Sequence, residues 1–161
     1  MTRQQFILCV ESNQRAVRRF LTALCCGDTA LADDLAQDTF VKAYVASDSF
    51  RDETKFVAWI FRIAYNTFVS NRRSARYFEP LTEAGFLPSE SKADGKYDYQ
   101  DLNQALGRLT EKERTVIVLH YIEGYSVKEI ADITVSGTDA VKQLLSRGRN
   151  RLKNILKNIL T

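Results

Sequence analysis

The chain has very little that interrupts a helix. Two prolines and seven glycines serve 161 residues, and long runs of good helix formers lie between them, which argues for an all-α protein. Histidine is nearly absent. The single His120 leaves no metal-ligand set, and its place in an apolar helical pattern reads as a core or boundary side chain. Three cysteines, Cys9, Cys25 and Cys26, are an odd number with an adjacent pair, not a disulfide framework. They read as small buried or half-buried residues of a reducing compartment, with a redox role for Cys25 or Cys26 left open. There is no Gly-rich phosphate loop and no Ser/His/Asp signature, so no catalytic residue, metal or cofactor is expected. Phe6-Ile-Leu-Cys-Val10 is too short for a membrane span or a signal peptide. The expected setting is the cytoplasm, without membrane insertion.

What the chain does have is unevenly placed charge. Residues 1–78 carry eleven Lys/Arg against eight Asp/Glu, net +3; residues 79–101 carry two against six, net −4; residues 102–161 carry ten against six, net +4. Two basic segments flanking an acidic one suit two nucleic-acid-facing modules joined by a tether that avoids duplex DNA. The tether is legible in composition too. Residues 79–97 hold both prolines, two of the glycines and a Ser89-Glu-Ser-Lys run. The expected organisation is therefore two small helical domains, 1–78 and 98–161, joined by a flexible acidic linker over 79–97, with 45% hydrophobic residues supplying their cores.

The last third reads as a helix-turn-helix. Ser126-Val-Lys-Glu129 is a capping box opening a short helix, Thr134-Val-Ser-Gly137 breaks it, and a longer amphipathic helix follows. Val141, Leu144, Leu145, Gly148, Leu152, Ile155, Leu156 and Ile159 fall on one stripe. Lys142, Gln143, Ser146, Arg147, Arg149, Asn150 and Arg151 fall largely elsewhere, offering the donors that phosphates and base edges accept. A solvated basic face is the plain alternative for such a helix taken alone; the capped helix and tight break before it favour DNA. Thr110-Glu-Lys-Glu113 is a second capping box, opening a helix that Gly124 ends.

The first half reads as one or two helices over residues 4–26, with Ser12 or Asn13 able to cap the second, then helices over about 29–47 and 53–77. Asp28 suits the N-cap of the former. Its polar face holds Asp34 and Asp38 one turn apart beside Gln37, a stripe suited either to solvent or to a basic partner. The 50–77 stretch interleaves Phe50, Phe56, Trp59, Tyr65 and Phe68 with Arg51, Arg62, Asn66, Asn71, Arg72 and Arg73. That mixture suits single-stranded nucleic acid, but Phe56, Trp59, Ile60 and Ile63 share the apolar period, and Trp59 is expected in the core.

Together these segments resemble the extracytoplasmic-function group of the sigma-70 family, the minimal sigma factors of bacterial RNA polymerase. The likeness lies in Asp34-Leu-Ala-Gln-Asp-Thr-Phe-Val-Lys-Ala-Tyr44, in Phe56-Val-Ala-Trp-Ile-Phe-Arg-Ile-Ala-Tyr-Asn66, in Leu109-Thr-Glu-Lys-Glu-Arg114 with Ile122-Glu-Gly-Tyr-Ser-Val-Lys-Glu-Ile-Ala131, and in Val141-Lys142 with Leu145-Ser-Arg-Gly-Arg149. Four motifs in this order, with a linker between the second and third, are highly specific. The resemblance implies a sigma factor, not an enzyme, whose partners are RNA polymerase core (β′ clamp helices and β flap), promoter DNA and an anti-sigma factor. It implies that Asp34, Gln37, Asp38 and Phe40 dock core polymerase. Arg51, Arg62, Asn66, Ser70 and Arg73 would face the −10 element, and Lys142, Gln143, Ser146, Arg147 and Arg149 the −35 element. Arg114 would help with a phosphate.

The chain departs from the family pattern at the turn. Where Gly-Leu-Ser is usual, it has Val135, Ser136 and Gly137, which leaves the start of the recognition helix around Thr138-Asp139 open. The family's arginine after Val-Lys-Ser is Leu144 here and is expected to turn to the core. The competing reading is a stand-alone helix-turn-helix regulator with a helical dimerisation domain, which would bind palindromic duplex without polymerase.

Overall fold

A computed structural model describes residues 1–78 and 97–160, with no strand among the described residues. The linker expected over 79–97 falls, but for Tyr97, outside them. Three helices make the N-terminal half: α1 (Arg3–Leu24), α2 (Thr29–Ala46) and α3 (Phe56–Phe78). Four make the C-terminal half: α4 (Tyr97–Gly107), α5 (Glu111–Ile117), α6 (Val127–Thr134) and α7 (Thr138–Leu160), with a π-helical turn, Val118–Ile122, continuing α5.

The N-terminal segment is one helix, not two. Thr2 and Gln5 form its capping box. Ser12 and Asn13 donate instead to the Leu8 and Cys9 carbonyls one turn back, a use of these side chains compatible with an unbroken helix. The helix ends in a Schellman arrangement: Gly27 N–H reaches the Thr22 carbonyl and Cys26 N–H that of Ala23, 2.9 and 3.0 Å. Cys26 takes the left-handed position at φ 54° and Gly27 follows at φ 93°. Asp28 caps α2 by accepting from Leu31 N–H.

Val17, Phe20, Leu21 and Leu24 of α1 meet Leu35 of α2 and Ile60, Phe61, Ala64 and Phe68 of α3. In the C-terminal half Leu106, Leu109, Val116, Ile117 and Leu119 pack with Ile130, Ile133, Val141 and Leu145. These are not two separate cores. The halves pack on each other into one continuous apolar cluster, α3 resting on α6 and α1 on α4, α5 and the π turn.

Candidate nucleic-acid interface

The helix-turn-helix forms from the predicted caps. Ser126 Oγ accepts from Glu129 N–H at 3.2 Å, and Glu129 Oε1 accepts from Ser126 N–H at 3.1 Å. The break is made by an unexpected residue. Val135, not Gly137, takes the left-handed conformation, at φ 52° and ψ 56°. Ser136 occupies the place of the usual buried leucine but is exposed, its hydroxyl 2.7 Å from Thr134 Oγ1 and its N–H on the Ala131 carbonyl. The Gly137 carbonyl then accepts from Val141 N–H, so α7 starts at Thr138 with Asp139 in its first turn, near the positive end of the helix dipole.

On α7 the two faces separate cleanly. Val141, Leu145 and Gly148 are buried, with Leu144 and Leu152 half-buried against the core. Lys142, Gln143, Ser146, Arg147 and Arg149 are all exposed. Arg149 Nη1 donates to the Tyr121 hydroxyl at 3.2 Å, which braces its stem along the π turn. Arg151 turns the other way, its Nε 3.6 Å from Glu113.

On α3, Arg62, Asn66, Ser70 and Arg73 are spaced by four, four and three residues and so share a face. Asn66, Ser70 and Arg73 are exposed, as is Arg51 ahead of the helix, while Arg62 is half-buried. Arg62 Nε and Nη2 donate to the Asp132 carbonyl of α6 at 3.2 and 2.6 Å. Trp59 corrects an expectation: it is half-buried, not core, at the edge of the apolar cluster, where Phe50 from the preceding loop stacks on it at 4.4 Å and 18°. Phe56 beneath them is buried and tilts against both rings. The loop is fixed from its other end by Asp52, whose carboxylate accepts from the Thr54 hydroxyl and N–H at 2.6 and 3.1 Å. Those bonds hold the carboxyl below its ordinary range.

The acidic helix carries more than its charges. Asp34, Gln37 and Asp38 are exposed. Phe40 is half-buried, with the Arg18 guanidinium 5.8 Å above its ring. Val41, Tyr44 and Val45 also stand in solvent; Val45 is 76% exposed. The reason is that α2 packs inward through Leu35 and a small-residue stripe, Ala32, Ala36, Thr39 and Ala43. Val41 and Val45 therefore continue the outward line of Asp34 and Asp38. That alanine stripe is the signal that could have revealed them.

Arg114 is the clearest correction. The resemblance implied a phosphate contact, yet its side chain is buried, 3% exposed. Its guanidinium donates to three carbonyls: Leu106 and Leu109 within its own half, at 2.8 and 3.3 Å, and Leu24 at the end of α1, at 2.7 Å. Burial lowers its pKa. The same surroundings bury Cys25 and Cys26. Desolvation pushes the Cys25 thiol up to about 12, with Asp28 adding to it, and raises Cys26 as well, which makes both poor nucleophiles. His120 is half-buried, and its Nδ1 donates to the Tyr125 carbonyl at 2.8 Å. Among the described residues no cluster of His, Cys, Asp and Glu could hold a metal, and no helix is long and apolar enough to cross a membrane.

Comparisons with known proteins agree with these halves. The family model for sigma-70 region 2 matches residues 9–77, and that for sigma-70 region 4 matches residues 99–152. The chain is 30% identical over 149 residues to the ECF RNA polymerase sigma factor SigW of Bacillus subtilis, covering 83% of this chain and 79% of that protein. It is 27% identical to EcfG of Rhodopseudomonas palustris over 144 residues, covering 88% and 79%. Among solved structures, the sigma factor RpoE in complex with the anti-sigma factor NepR from Bartonella quintana superposes with TM-score 0.74 at 30% identity, covering 92% of this chain and 94% of that one. CnrH in complex with the cytosolic domain of CnrY gives TM-score 0.74 at 28% identity, covering 98% and 90%.

Proposed function

The chain belongs to the extracytoplasmic-function group of the sigma-70 family, whose members bind RNA polymerase and direct promoter-specific transcription, and we propose that it does so as a two-part promoter reader. Residues 1–78 dock the polymerase and open the −10 element, and residues 98–161 read the −35 element. The family is not catalytic; on this reading the chain binds and positions, polymerase supplies the chemistry, and the site of action is the cytoplasm, where polymerase works.

The docking surface is Asp34, Gln37 and Asp38, extended by the exposed Val41 and Val45, with Phe40 and Arg18 bracing its edge. Acidic groups around an exposed apolar centre suit a partner helix of the β′ clamp with basic and apolar faces. Arg51, Arg62, Asn66, Ser70 and Arg73 face the −10 strand. The stacked Phe50–Trp59 pair gives the loop a rigid aromatic floor beside them. Lys142, Gln143, Ser146, Arg147 and Arg149 enter the major groove at −35. The solved relative RpoE in complex with the anti-sigma factor NepR supports a protein inhibitor as a further partner.

The observation that carries this reading is α7, where the five polar residues stand exposed opposite buried Val141, Leu145 and Gly148 behind a capped helix and a tight turn. Transcription from a panel of −35 variants tests it. Arg147→Ala should cost roughly 1–3 kcal/mol of discrimination at the base pair it reads. An unchanged ranking of the −35 variants would refute its role.

A further inference from the structure

Arg149 differs from the other exposed polar residues of α7 in being held from another element. Its Nη1 donates to the hydroxyl of Tyr121 in the π turn at 3.2 Å. The Tyr121 ring is fixed in turn. His120 meets it edge-on at 4.9 Å and 83°, and the His120 ring is anchored through Nδ1 on the Tyr125 carbonyl at 2.8 Å. Tyr121 is nevertheless 56% exposed. A large aromatic side chain left in solvent, yet oriented from two sides, suits a surface that meets a partner. It stands in a π-helical turn, Val118–Ile122, the kind of single-turn insertion that recurs at functional sites.

Helix geometry says what that partner is. Gln143 and Asn150 lie opposite the inward stripe of Val141, Leu145, Gly148 and Leu152. Lys142 and Arg149, seven residues apart, lie instead on one flank of α7, the flank beside Tyr121. A helix about 10–12 Å across fills a major groove about 12 Å wide. Its outermost line then faces base edges, and its flanks face the two phosphate backbones.

We propose that Tyr121 and Arg149 together clamp one backbone phosphate bordering the −35 groove, so that Arg149 sets the register of α7 and reads no base. The inference rests on the two-part reading above and gives Tyr121, which is outside the −35 set named there, a direct DNA contact. The donors suffice. The phenol oxygen accepts from Arg149 Nη1 and keeps its own O–H to donate, while Arg149 keeps its Nε and Nη2 hydrogens. Among the described residues no acceptor takes either set, and the oxygens of a phosphodiester accept from both. Holding Nη1 in advance also removes part of the rotamer entropy that a free arginine loses on binding.

Binding of the full chain, assembled with core polymerase, to promoter duplex tests the clamp. Tyr121→Phe removes only the hydroxyl. It should weaken binding about three- to ten-fold, by the same factor on every −35 variant, and leave thermal unfolding unchanged. Arg149→Ala should weaken binding about ten-fold or more, again uniformly, and flatten the slope of log affinity against log salt by about one. The double variant should lose less than the product of the two single losses. Single neutral methylphosphonate linkages, placed one at a time along both strands of the −35 duplex, locate the contact. One linkage should cost the wild-type chain affinity and cost Tyr121→Phe and Arg149→Ala much less. A re-ranking of −35 variants by Arg149→Ala, or one methylphosphonate profile shared by all three chains, would overturn the clamp and leave the −35 reading in place. Full binding by a chain carrying Lys142→Ala, Arg147→Ala and Arg149→Ala together would remove that reading, and the clamp with it.

Discussion

Gly148 of α7 lies directly against Ile117 of α5: a methyl group at 148 would stand 2.7 Å from Ile117 Cγ1 and 3.1 Å from Cδ1. This close approach explains a glycine in the middle of a helix, where it costs about 0.5–1 kcal/mol relative to alanine. Gly148→Ala should therefore destabilise the C-terminal half by roughly 1–3 kcal/mol through overpacking, despite alanine's better helix propensity. Ile117→Ala, which clears both atoms, should couple with it, the double variant losing less than the two singles together. Chemical unfolding of the four proteins measures this. A stabilised Gly148→Ala would show that the contact is slack.

The turn is strained where the family pattern has glycine. Val135 is β-branched, left-handed and 73% exposed, so little packing offsets the conformation. Val135→Gly should raise stability by about 1 kcal/mol, or about 2–4 °C in Tm for a chain of this size. Thermal unfolding decides it, and a lowered Tm would contradict the strain.

The buried thiol makes stability fall in alkali. The Cys25 pKa is raised by burial from 9.0 to about 12 in the folded chain, so between those values the unfolded chain is ionised and the folded chain is not. Its favourable contribution is complete below pH 8 and is lost as pH rises toward 12, by at most about 1.4 kcal/mol per pH unit. Urea unfolding of wild type and Cys25→Ala at pH 8 and pH 10 should show the stability gap between them narrowing at the higher pH. An equal gap at both values would mean that the thiol is not desolvated.

The outward line of α2 should matter for polymerase and not for folding. Asp38→Arg and Val45→Glu each alter an exposed side chain, so stability should change by no more than about 0.5 kcal/mol. Binding to core polymerase, followed by fluorescence anisotropy, should weaken ten-fold or more. Wild-type affinity in both variants would move the docking surface elsewhere.

Local chemistry was legible in the sequence wherever a cap or a period sets it. The boxes at Thr110 and Ser126, the Asp28 cap and the exposed basic face of α7 are all where their spacing implies. What was not legible depends on distant partners or on a single inserted residue. The π turn, seen in the Glu123 N–H reaching Val118 five residues back, shifts the residues that follow it out of the α-helical phase. Arg19 Nε donates to Glu123 across 104 residues, and nothing local to either marks the pair. Arg114 reads as a surface base until the carbonyls at the end of α1 are brought over it. The exposure of Val41 and Val45 was not legible, because apolar periodicity cannot say which of two stripes faces inward when the inward one is mostly alanine.

The most direct measurement is run-off transcription on a genomic fragment library with purified core polymerase, with and without the chain. Promoter-specific transcripts that appear only when the chain is added, and that share a −10 and a −35 element, are the expected result. No chain-dependent transcript across a complete library, with palindromic duplex bound tightly in the absence of polymerase, would contradict the assignment.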